Sequence, residues 1–258
     1  MAPYGIEEVI GVHHWNDGLF SFRTTRSPGL RFENGQFLML GLDVGGRPVT
    51  RAYSVASPNY ADYLEFFSIK VADGTFTTHL QNVQPGDPIL VGRRPTGTLV
   101  LRDILPGRRL FLFATGTGLA PFLSVIRDPE LYERFETVVL VHGARTVAEL
   151  AYRHFLNESL PQQEFIGEAV REKLIYYPTV TRESFPNQGR ITDLLESGKL
   201  FADIGQPALD PVEDRAMLCG SPAMLADCRA LLDGRGFRMS RHIGDAGDYV
   251  IERAFVEK

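Results

Sequence analysis

Arg51-Ala52-Tyr53-Ser54-Val55-Ala56-Ser57 combines a cation, a flat aromatic ring and a hydroxyl on one short predicted strand. The Arg51 guanidinium can neutralise a pyrophosphate, the Tyr53 ring can lie against a flat heterocycle, and the Ser54 hydroxyl can hydrogen-bond its reactive edge. Successive strand residues point to opposite faces, so Arg51 and Tyr53 share one face and Ser54 the other, unless the strand bends. The pattern predicts a flavin dinucleotide site. The alternative is a barrel strand with a surface arginine and a half-buried tyrosine.

Short strands separated by turn residues surround this run, a pattern typical of a barrel or sandwich. We predict strands at residues 6–15, 19–25, 36–42, 49–56, 64–71 and 88–91. A short helix is predicted at 75–83, after the turn Asp73-Gly74. Its first amides, with the hydroxyls of Thr77 and Thr78, can bind an anion such as a pyrophosphate; the alternative is an ordinary capped helix.

After residue 102 apolar strands alternate with amphipathic helices, which is typical of a parallel α/β sheet. We predict strands at 110–114, 137–142, 174–180, 215–219 and 249–255, and helices at 119–127, 147–160, 191–198 and 222–235. The change predicts two domains, residues 1–102 and 103–258, each of ordinary domain size.

Composition excludes several classes of protein. The 258 residues are 44% hydrophobic and carry a net charge of −5, which argues against general nucleic-acid binding. We find no apolar run long enough to span a bilayer and no secretory leader, so we expect a cytoplasmic protein with no membrane insertion. Two cysteines, Cys219 and Cys228, are too few for a disulfide framework, an iron–sulfur centre or a cysteine-rich zinc site. We therefore expect no metal, and any redox chemistry requires an organic cofactor.

The first strand of the second half leads into Thr115-Gly116-Thr117-Gly118. The glycines allow close approach to a phosphate, and a helix N-terminus follows. Because ligands of open α/β sheets bind at the carboxyl ends of the strands, the loop predicts a dinucleotide site; a generic strand–turn–helix is the alternative. Arg145, Arg182 and Arg190 follow later strands. Arginine side chains suit the 2′-phosphate of NADP, and Arg182 and Arg190 fit it best because they follow the same strand. The alternative is that they are ordinary solvated surface arginines, as most arginines are.

Two further segments carry chemistry. Cys219-Gly220-Ser221-Pro222 repeats the strand–turn–helix pattern, and a small thiol followed by glycine leaves room for a nicotinamide ring; the alternative is a buried structural cysteine. The segment Ala254-Phe255-Val256-Glu257-Lys258 directly follows the last predicted strand. It can bring an aromatic ring and a carboxylate into a site, whereas most such segments fray.

Together these motifs resemble the ferredoxin/flavodoxin–NADP⁺ reductase family, specifically its bacterial type. The match covers essentially the whole chain, with the motifs in the family's order. The resemblance implies a six-stranded antiparallel flavin-binding barrel followed by a Rossmann-like parallel-sheet NADP(H)-binding domain. It also implies that residues 254–258 return to the flavin, in place of the tyrosine that ends the plastid-type relatives.

The resemblance further implies cofactor-binding residues. FAD would be held by Arg51, Ala52, Tyr53, Ser54, Phe67, Ser68, Ile69, Lys70, Val71, Gly74, Phe76, Thr77, Thr117, Phe255 and Lys258. NADP(H) would be held by Thr115, Gly116, Thr117, Gly118, Arg145, Arg182, Arg190, Cys219, Gly220 and Ser221. Catalytic roles would fall to Ser54, Cys219, Ala254 and Glu257.

The implied reaction passes a hydride from NADPH to FAD and then single electrons to ferredoxin or flavodoxin. Such acidic partners would dock on a local basic patch, for which the candidates are Arg93, Arg94, Arg102, Arg108 and Arg109. We expect a monomer. Two alternatives remain open: an NAD(P)H-dependent flavin or oxygenase reductase, and a non-enzymatic FAD-binding electron-transfer subunit.

Overall fold

The first half of the chain forms an antiparallel sheet in the computed structural model, which describes residues 3–71 and 74–253. Its strands are β1 (Tyr4–His14), β2 (Leu19–Thr25), β3 (Phe37–Val44), β4 (Arg47–Ser54), β5 (Tyr63–Ile69) and β6 (Pro88–Gly92). They lie in the order β4-β3-β6-β1-β2-β5. A bridge between Val55 and Phe66 joins the chain after β4 to β5, so the two outer strands meet and the sheet curls into a barrel.

The predicted helix after β5 is a single turn, α1 (Thr77–Leu80). Phe76 precedes it with its side chain fully buried in the barrel core. One turn sums few peptide dipoles, so α1 offers an anion little more than its free amides.

A five-stranded parallel sheet forms the second half. Its strands are β7 (Arg109–Thr115), β8 (Thr137–Ala144), β9 (Leu174–Val180), β10 (Asp214–Gly220) and β11 (Tyr249–Arg253). The helices are α2 (Leu119–Val125), α3 (Pro129–Arg134), α4 (Gly167–Lys173), α5 (Ile191–Glu196), α6 (Lys199–Ile204) and α7 (Pro222–Gly234). In β7, Leu110 and Leu112 pack into one core and Phe111 and Phe113 into another. This alternation buries both faces of the sheet.

The strand order β11-β10-β7-β8-β9 reverses at β7. From β7 the chain proceeds to β8 and β9 on one side, and later to β10 and β11 on the other. The carboxyl ends of β7 and β10 therefore flank a topological switch point, where open α/β sheets bind ligands. Ala56 and Phe67 of the barrel lie in the same core as Leu112, so the barrel packs against this sheet.

The predicted helix at 147–160 is wrong. The segment contains a 3-10 turn at Val147–Glu149 and a π-helical turn at Phe155–Ser159. Between them Tyr152 has a φ of +61°, which breaks a right-handed helix. Apolar spacing alone could not reveal this, because Tyr152 is buried against the barrel residue Phe67 (ring centroids 5.3 Å apart).

Two candidates for the basic patch lie far from the switch point. Arg109 begins β7, and its side chain is 5% exposed in an ion pair with Asp214 (2.6 Å). Since β7 ends at Thr115, roughly 20 Å of strand separates Arg108 and Arg109 from the predicted dinucleotide loop. Arg109 is thus a buried structural cation, and its prediction as a docking residue is wrong. Among the described residues, no helix combines the length and apolar character that a membrane span requires.

Candidate functional site

The predicted flavin motif lines a cavity between the two domains, which we call the motif cavity. Its volume is about 230 Å³. Barrel residues form one wall, and Thr117 and Ala120 of the second domain form another. The lining residues are Phe37, Arg51, Ala52, Tyr53, Ser54, Phe67, Ser68, Ile69, Thr117, Ala120, Glu252 and Arg253. This volume accommodates one flat ring system, so a dinucleotide would extend beyond it.

Tyr53 forms a fixed wall of the motif cavity. Its ring packs against Phe66 and Phe76, with centroids 6.4 and 5.9 Å away. Its hydroxyl lies 3.1 Å from Oγ of Ser68. Phe76 thus supports Tyr53 from the core; it is fully buried and does not line the motif cavity, so its predicted contact with FAD stays a prediction.

The two predicted anion-binding elements lie side by side. Arg51 Nη2 donates to Oγ1 of Thr75, 3.2 Å away, and so links β4 to the segment before α1. Thr77 is buried and donates to the carbonyl of Val71 (3.4 Å). A pyrophosphate beside the motif cavity would meet the Arg51 guanidinium and the free amides preceding α1.

Glu252 is a residue of this cavity that the sequence did not single out. It pairs in register with Cys219 on the neighbouring strand, at the carboxyl end of the sheet. Burial raises the pKa of its carboxyl to about 7, while hydrogen bonds from the Thr98 N–H and the Ser54 hydroxyl act to lower it. Near pH 7 the carboxyl therefore exchanges a proton readily. The sequence offered one signal for this residue: Glu252 lies two positions before the segment 254–258, which was predicted to return to the flavin.

The connection from β6 to the second domain holds Glu252 in place. Thr98 N–H donates to Oε2 of Glu252 (3.1 Å), and the Thr98 hydroxyl donates to the carbonyl of Ile251 (3.0 Å). Gly97 has a φ of +143°, and a Cβ there would lie 2.9 Å from Oε2 of Glu252. A glycine is thus required where the barrel backbone meets the carboxyl.

A second cavity, the dinucleotide cavity, lies at the switch point and has a volume of about 480 Å³. Its lining residues are Thr115, Gly116, Gly143, Ala144, Arg145, Glu149, Thr181, Gly189, Arg190, Ile191, Thr192, Ser221, Ala223, Met224 and Asp227. Five of the predicted NADP-binding residues are among them: Thr115, Gly116, Arg145, Arg190 and Ser221. Thr115 Oγ1 accepts from the N–H of Ser221 (3.0 Å) and ties the two loops together.

The three predicted arginines differ in their surroundings. Arg145 is held by Glu149 in an ion pair of 2.7 Å. Arg190 lines the cavity and is exposed. Arg182 is exposed but does not line the cavity; its backbone N–H donates to the carbonyl of Arg145 (2.9 Å), which places it next to that residue.

Cys219 and Gly118 lie behind the cavities rather than in their walls. Cys219 is fully buried, and burial raises the pKa of its thiol well above the usual range. In this conformation it is a neutral packing residue beside Glu252. A Cβ on Gly118 would lie 2.2 Å from the carbonyl oxygen of Cys219. Gly118 therefore serves close packing of the loop on β10 rather than approach to a phosphate.

Several predicted residues fall outside the described part of the chain. Ala254, Phe255, Glu257 and Lys258 follow the last described residue, Arg253, and Asp73 lies in another undescribed segment, residues 72–73. Lys70, Val71 and Gly74 are described but do not line the motif cavity. Their roles stay predictions.

Comparisons with known proteins match both halves. An oxidoreductase FAD-binding domain matches residues 11–100, and an oxidoreductase NAD-binding domain matches residues 112–230. Ferredoxin–NADP reductases of Azotobacter vinelandii and Pseudomonas aeruginosa are 64% and 63% identical over the full length of both chains. The chain belongs to the ferredoxin–NADP reductase family. This membership confirms the predicted family and enzyme class.

A solved ferredoxin–NADP reductase also shares the fold. The crystal structure of the Neisseria gonorrhoeae protein with bound FAD and NADP is 32% identical, with a TM-score of 0.89, covering 99% of this chain and 100% of that one. The predicted barrel and parallel-sheet fold and the cofactor pair FAD and NADP(H) are thereby confirmed.

The residues present fit both cofactors of a ferredoxin–NADP reductase. The motif cavity offers a rigid aromatic wall at Tyr53, a hydroxyl at Ser54 and a cation at Arg51. The dinucleotide cavity offers the amides of a glycine loop together with Arg190. A flat redox heterocycle and a phosphorylated dinucleotide match these two sets of donors.

Proposed function

We propose that the motif cavity holds the isoalloxazine of FAD and that the dinucleotide cavity holds NADPH, as an FAD-dependent reductase of ferredoxin or flavodoxin requires. Bound FAD would supply the hydride-accepting and one-electron chemistry that no side chain of this chain can perform. The observation that carries the assignment is that Ser54 of the barrel and Glu252 of the second domain line one cavity. A cytoplasmic location and a monomeric state stay predictions.

Two side chains would act at the reactive edge. The Ser54 hydroxyl would orient the heterocycle by a hydrogen bond, as predicted from the sequence. The Glu252 carboxyl, with a pKa of about 7, would give up or take a proton beside it. Tyr53 would exclude water from one face, since its ring is fixed by the barrel core.

Selectivity for NADPH over NADH would rest on Arg190 and Arg182. Neither makes an ion pair with a described residue, so both guanidinium groups are available to a 2′-phosphate. Arg145 is already engaged by Glu149 and would contribute less. A charged hydrogen bond to phosphate is worth about 1.5–3 kcal/mol, or roughly 10- to 150-fold in affinity.

Replacing Arg190 with alanine should therefore raise the apparent dissociation constant for NADPH roughly 10- to 100-fold, with little change in the limiting rate of flavin reduction and none in the reaction with NADH. The measurement is anaerobic stopped-flow reduction of the bound flavin, with NADPH and NADH in parallel. Arg182→Ala should act in the same direction. Arg229→Ala, which breaks an exposed pair with Asp233 on α7, is the control and should change neither reaction. Equal rates of wild-type protein with NADPH and NADH would contradict the 2′-phosphate assignment, and no bleaching with either would contradict the enzymatic role.

Docking of an acidic partner would use the part of the predicted patch nearest the motif cavity. Arg93 and Arg94 are exposed and closely precede Thr96, which pairs with Phe37 of the cavity wall. Arg102 is held by an ion pair with Glu33. The docking face would therefore be centred on Arg93 and Arg94, because steering requires free surface cations near the redox centre.

The double variant Arg93→Glu/Arg94→Glu should slow ferredoxin- or flavodoxin-dependent turnover by about tenfold or more at low salt and flatten its salt dependence. NADPH reduction of the flavin should not change. Arg108→Glu, at the far end of β7, is the matched control. If it slows partner turnover as much as the double variant does, the docking face lies elsewhere.

A further inference from the structure

We propose that a third cavity, beside Trp15, binds a small planar aromatic carboxylate. This Trp15 cavity has a volume of about 520 Å³. Its walls come from both domains: Trp15, Ser21 and Glu65 from the barrel, and Arg127, Tyr152 and Phe155 from the second domain. Its size falls within the usual range for small-molecule sites. The flavin and dinucleotide assignments use none of these residues.

A buried cation without an anion carries the proposal. Arg127 is 5% exposed. Its Nε donates to the carbonyl of Leu123 (2.8 Å) and its Nη2 to the carbonyl of Ala56. Within residues 3–71 and 74–253 it has no acidic partner, and its Nη1 makes no hydrogen bond. A buried guanidinium is costly unless its charge is compensated, so an anion is the complement that the cavity lacks.

The acidic group of the cavity is already compensated. Glu65 accepts a hydrogen bond from the Tyr152 hydroxyl (2.9 Å) and lies 3.4 Å from Nη2 of Arg23. It therefore repels an anion less than a free carboxylate would. Trp15 Nε1 donates to Oγ of Ser21 (3.2 Å), which fixes the indole ring.

Aromatic side chains form much of the remaining wall, and the rings of Trp15, Tyr152 and Phe155 suit a flat ligand. Trp15 and Tyr152 lie with ring centroids 4.5 Å apart, and Tyr152 and Phe155 lie edge to face at 6.4 Å. The Arg127 guanidinium lies 5.3 Å from the centroid of Phe155. An aromatic carboxylate could thus stack on a ring while its charge meets Arg127. The strained φ of Tyr152 is of the kind that clusters at ligand sites.

A neighbouring cavity also borders Arg127 but is a poorer place for an anion. Its volume is about 340 Å³, and its walls include Glu164, a carboxylate with no cationic partner in the described part of the chain. An anion at Arg127 is therefore favoured on the Trp15 side, where Glu65, the only carboxylate among the described residues that line the cavity, is paired.

The test is calorimetric titration of the FAD-loaded protein with benzoate, together with Trp15 emission, which is specific because the chain has a single tryptophan. We expect one saturable site with a dissociation constant near or below about 1 mM, reasonable for a ligand of this size, and a change in Trp15 emission. Benzamide, which lacks the charge, and cyclohexanecarboxylate, which lacks the flat ring, should each bind at least about tenfold weaker.

Variants locate the site. Phe155→Leu should weaken benzoate binding several-fold, and Arg127→Gln should abolish the preference for benzoate over benzamide. Phe185→Leu is the matched control, since Phe185 lies under Arg153 in a similar contact outside the cavity. The proposal is overturned if benzoate does not saturate by about 20 mM, if NADP⁺ displaces it, or if Phe155→Leu and Phe185→Leu behave alike. The ligand comparison and Phe155→Leu decide the matter even if Arg127→Gln fails to fold.

Discussion

Replacing Glu252 with glutamine is expected to slow NADPH-driven reduction of the bound flavin by about 10²-fold, the lower end of what a positioned acid–base group contributes. Glutamine keeps the size of the side chain and can still accept from the Thr98 N–H, but it cannot exchange a proton. FAD content should not fall, because the Arg51 and Tyr53 contacts are untouched. The measurement is anaerobic stopped flow on the FAD-loaded protein, with Glu133→Gln, an exposed residue of α3, as control.

The pH dependence separates a proton-exchange role from a packing role. The wild-type rate should show an ionisation near pH 7, the value to which burial raises the Glu252 pKa, and Glu252→Gln should lose it. Ser54→Ala should move that ionisation to higher pH, because the hydroxyl's hydrogen bond lowers the pKa. If Glu252→Gln keeps the ionisation near pH 7, a group other than Glu252 causes it.

The same carboxyl affects stability with a definite sign. Between its ordinary pKa of 4.5 and about 7 the folded protein holds a proton that the unfolded chain has lost. The native state therefore binds more protons than the unfolded state. The contribution of the Glu252 carboxyl to the free energy of unfolding thus falls as pH rises through that window. Glu252→Gln should remove this part of the decline in melting temperature.

Replacing Asp214 with alanine should lower the free energy of unfolding by about 3–5 kcal/mol, because it leaves the buried Arg109 uncompensated. Asp214 is fully buried; its two carboxylate oxygens accept from Nε and Nη2 of Arg109 at 2.6 Å each, and Oδ2 also accepts from the Asp210 N–H (2.8 Å). In a protein of this size the melting temperature should fall by on the order of 10 °C. Thermal unfolding followed by circular dichroism measures the change.

Two further variants show whether burial is the cause. Glu136→Ala breaks the neighbouring pair between Glu136 and Arg108, whose side chains are 68% and 62% exposed, and should change stability far less than Asp214→Ala does, because solvent screens exposed charges. The double variant Arg109→Met/Asp214→Leu removes both buried charges and should recover much of the loss. Equal effects of Asp214→Ala and Glu136→Ala would contradict this explanation.

Sequence patterns predicted correctly those strands and loops that are determined by residues close together in the chain. Alternation of apolar residues predicted the strands of both sheets, and turn residues before α2 and α7 marked the loops at the carboxyl ends of β7 and β10. The residues of the Arg51–Ser54 motif line one cavity together, because adjacent residues of one strand stay adjacent in space.

The features that the sequence analysis predicted wrongly or overlooked depend on contacts between residues far apart in the chain. Arg109 read as a surface cation because its partner Asp214 is 105 residues away. Glu252 reaches the motif cavity only through its register with Cys219, which strand pairing sets. The helix predicted at 147–160 failed because the contacts of Tyr152 with the barrel outweigh local helical spacing.

The contact between Gly97-Thr98 and Glu252 has a consequence for biosynthesis. Arg51 and Glu252 are about 200 residues apart along the chain, so at roughly 5–20 residues per second the ribosome makes the first wall of the motif cavity some 10–40 s before the last. During that interval the nascent barrel can collapse around Tyr53, but the motif cavity still lacks the wall that Glu252 of β11 provides. If the motif cavity holds the flavin as proposed, we expect cofactor loading to be a late event of maturation that waits for β11 to dock, and a nascent chain stalled before β11 would lack the complete cavity even with a folded barrel.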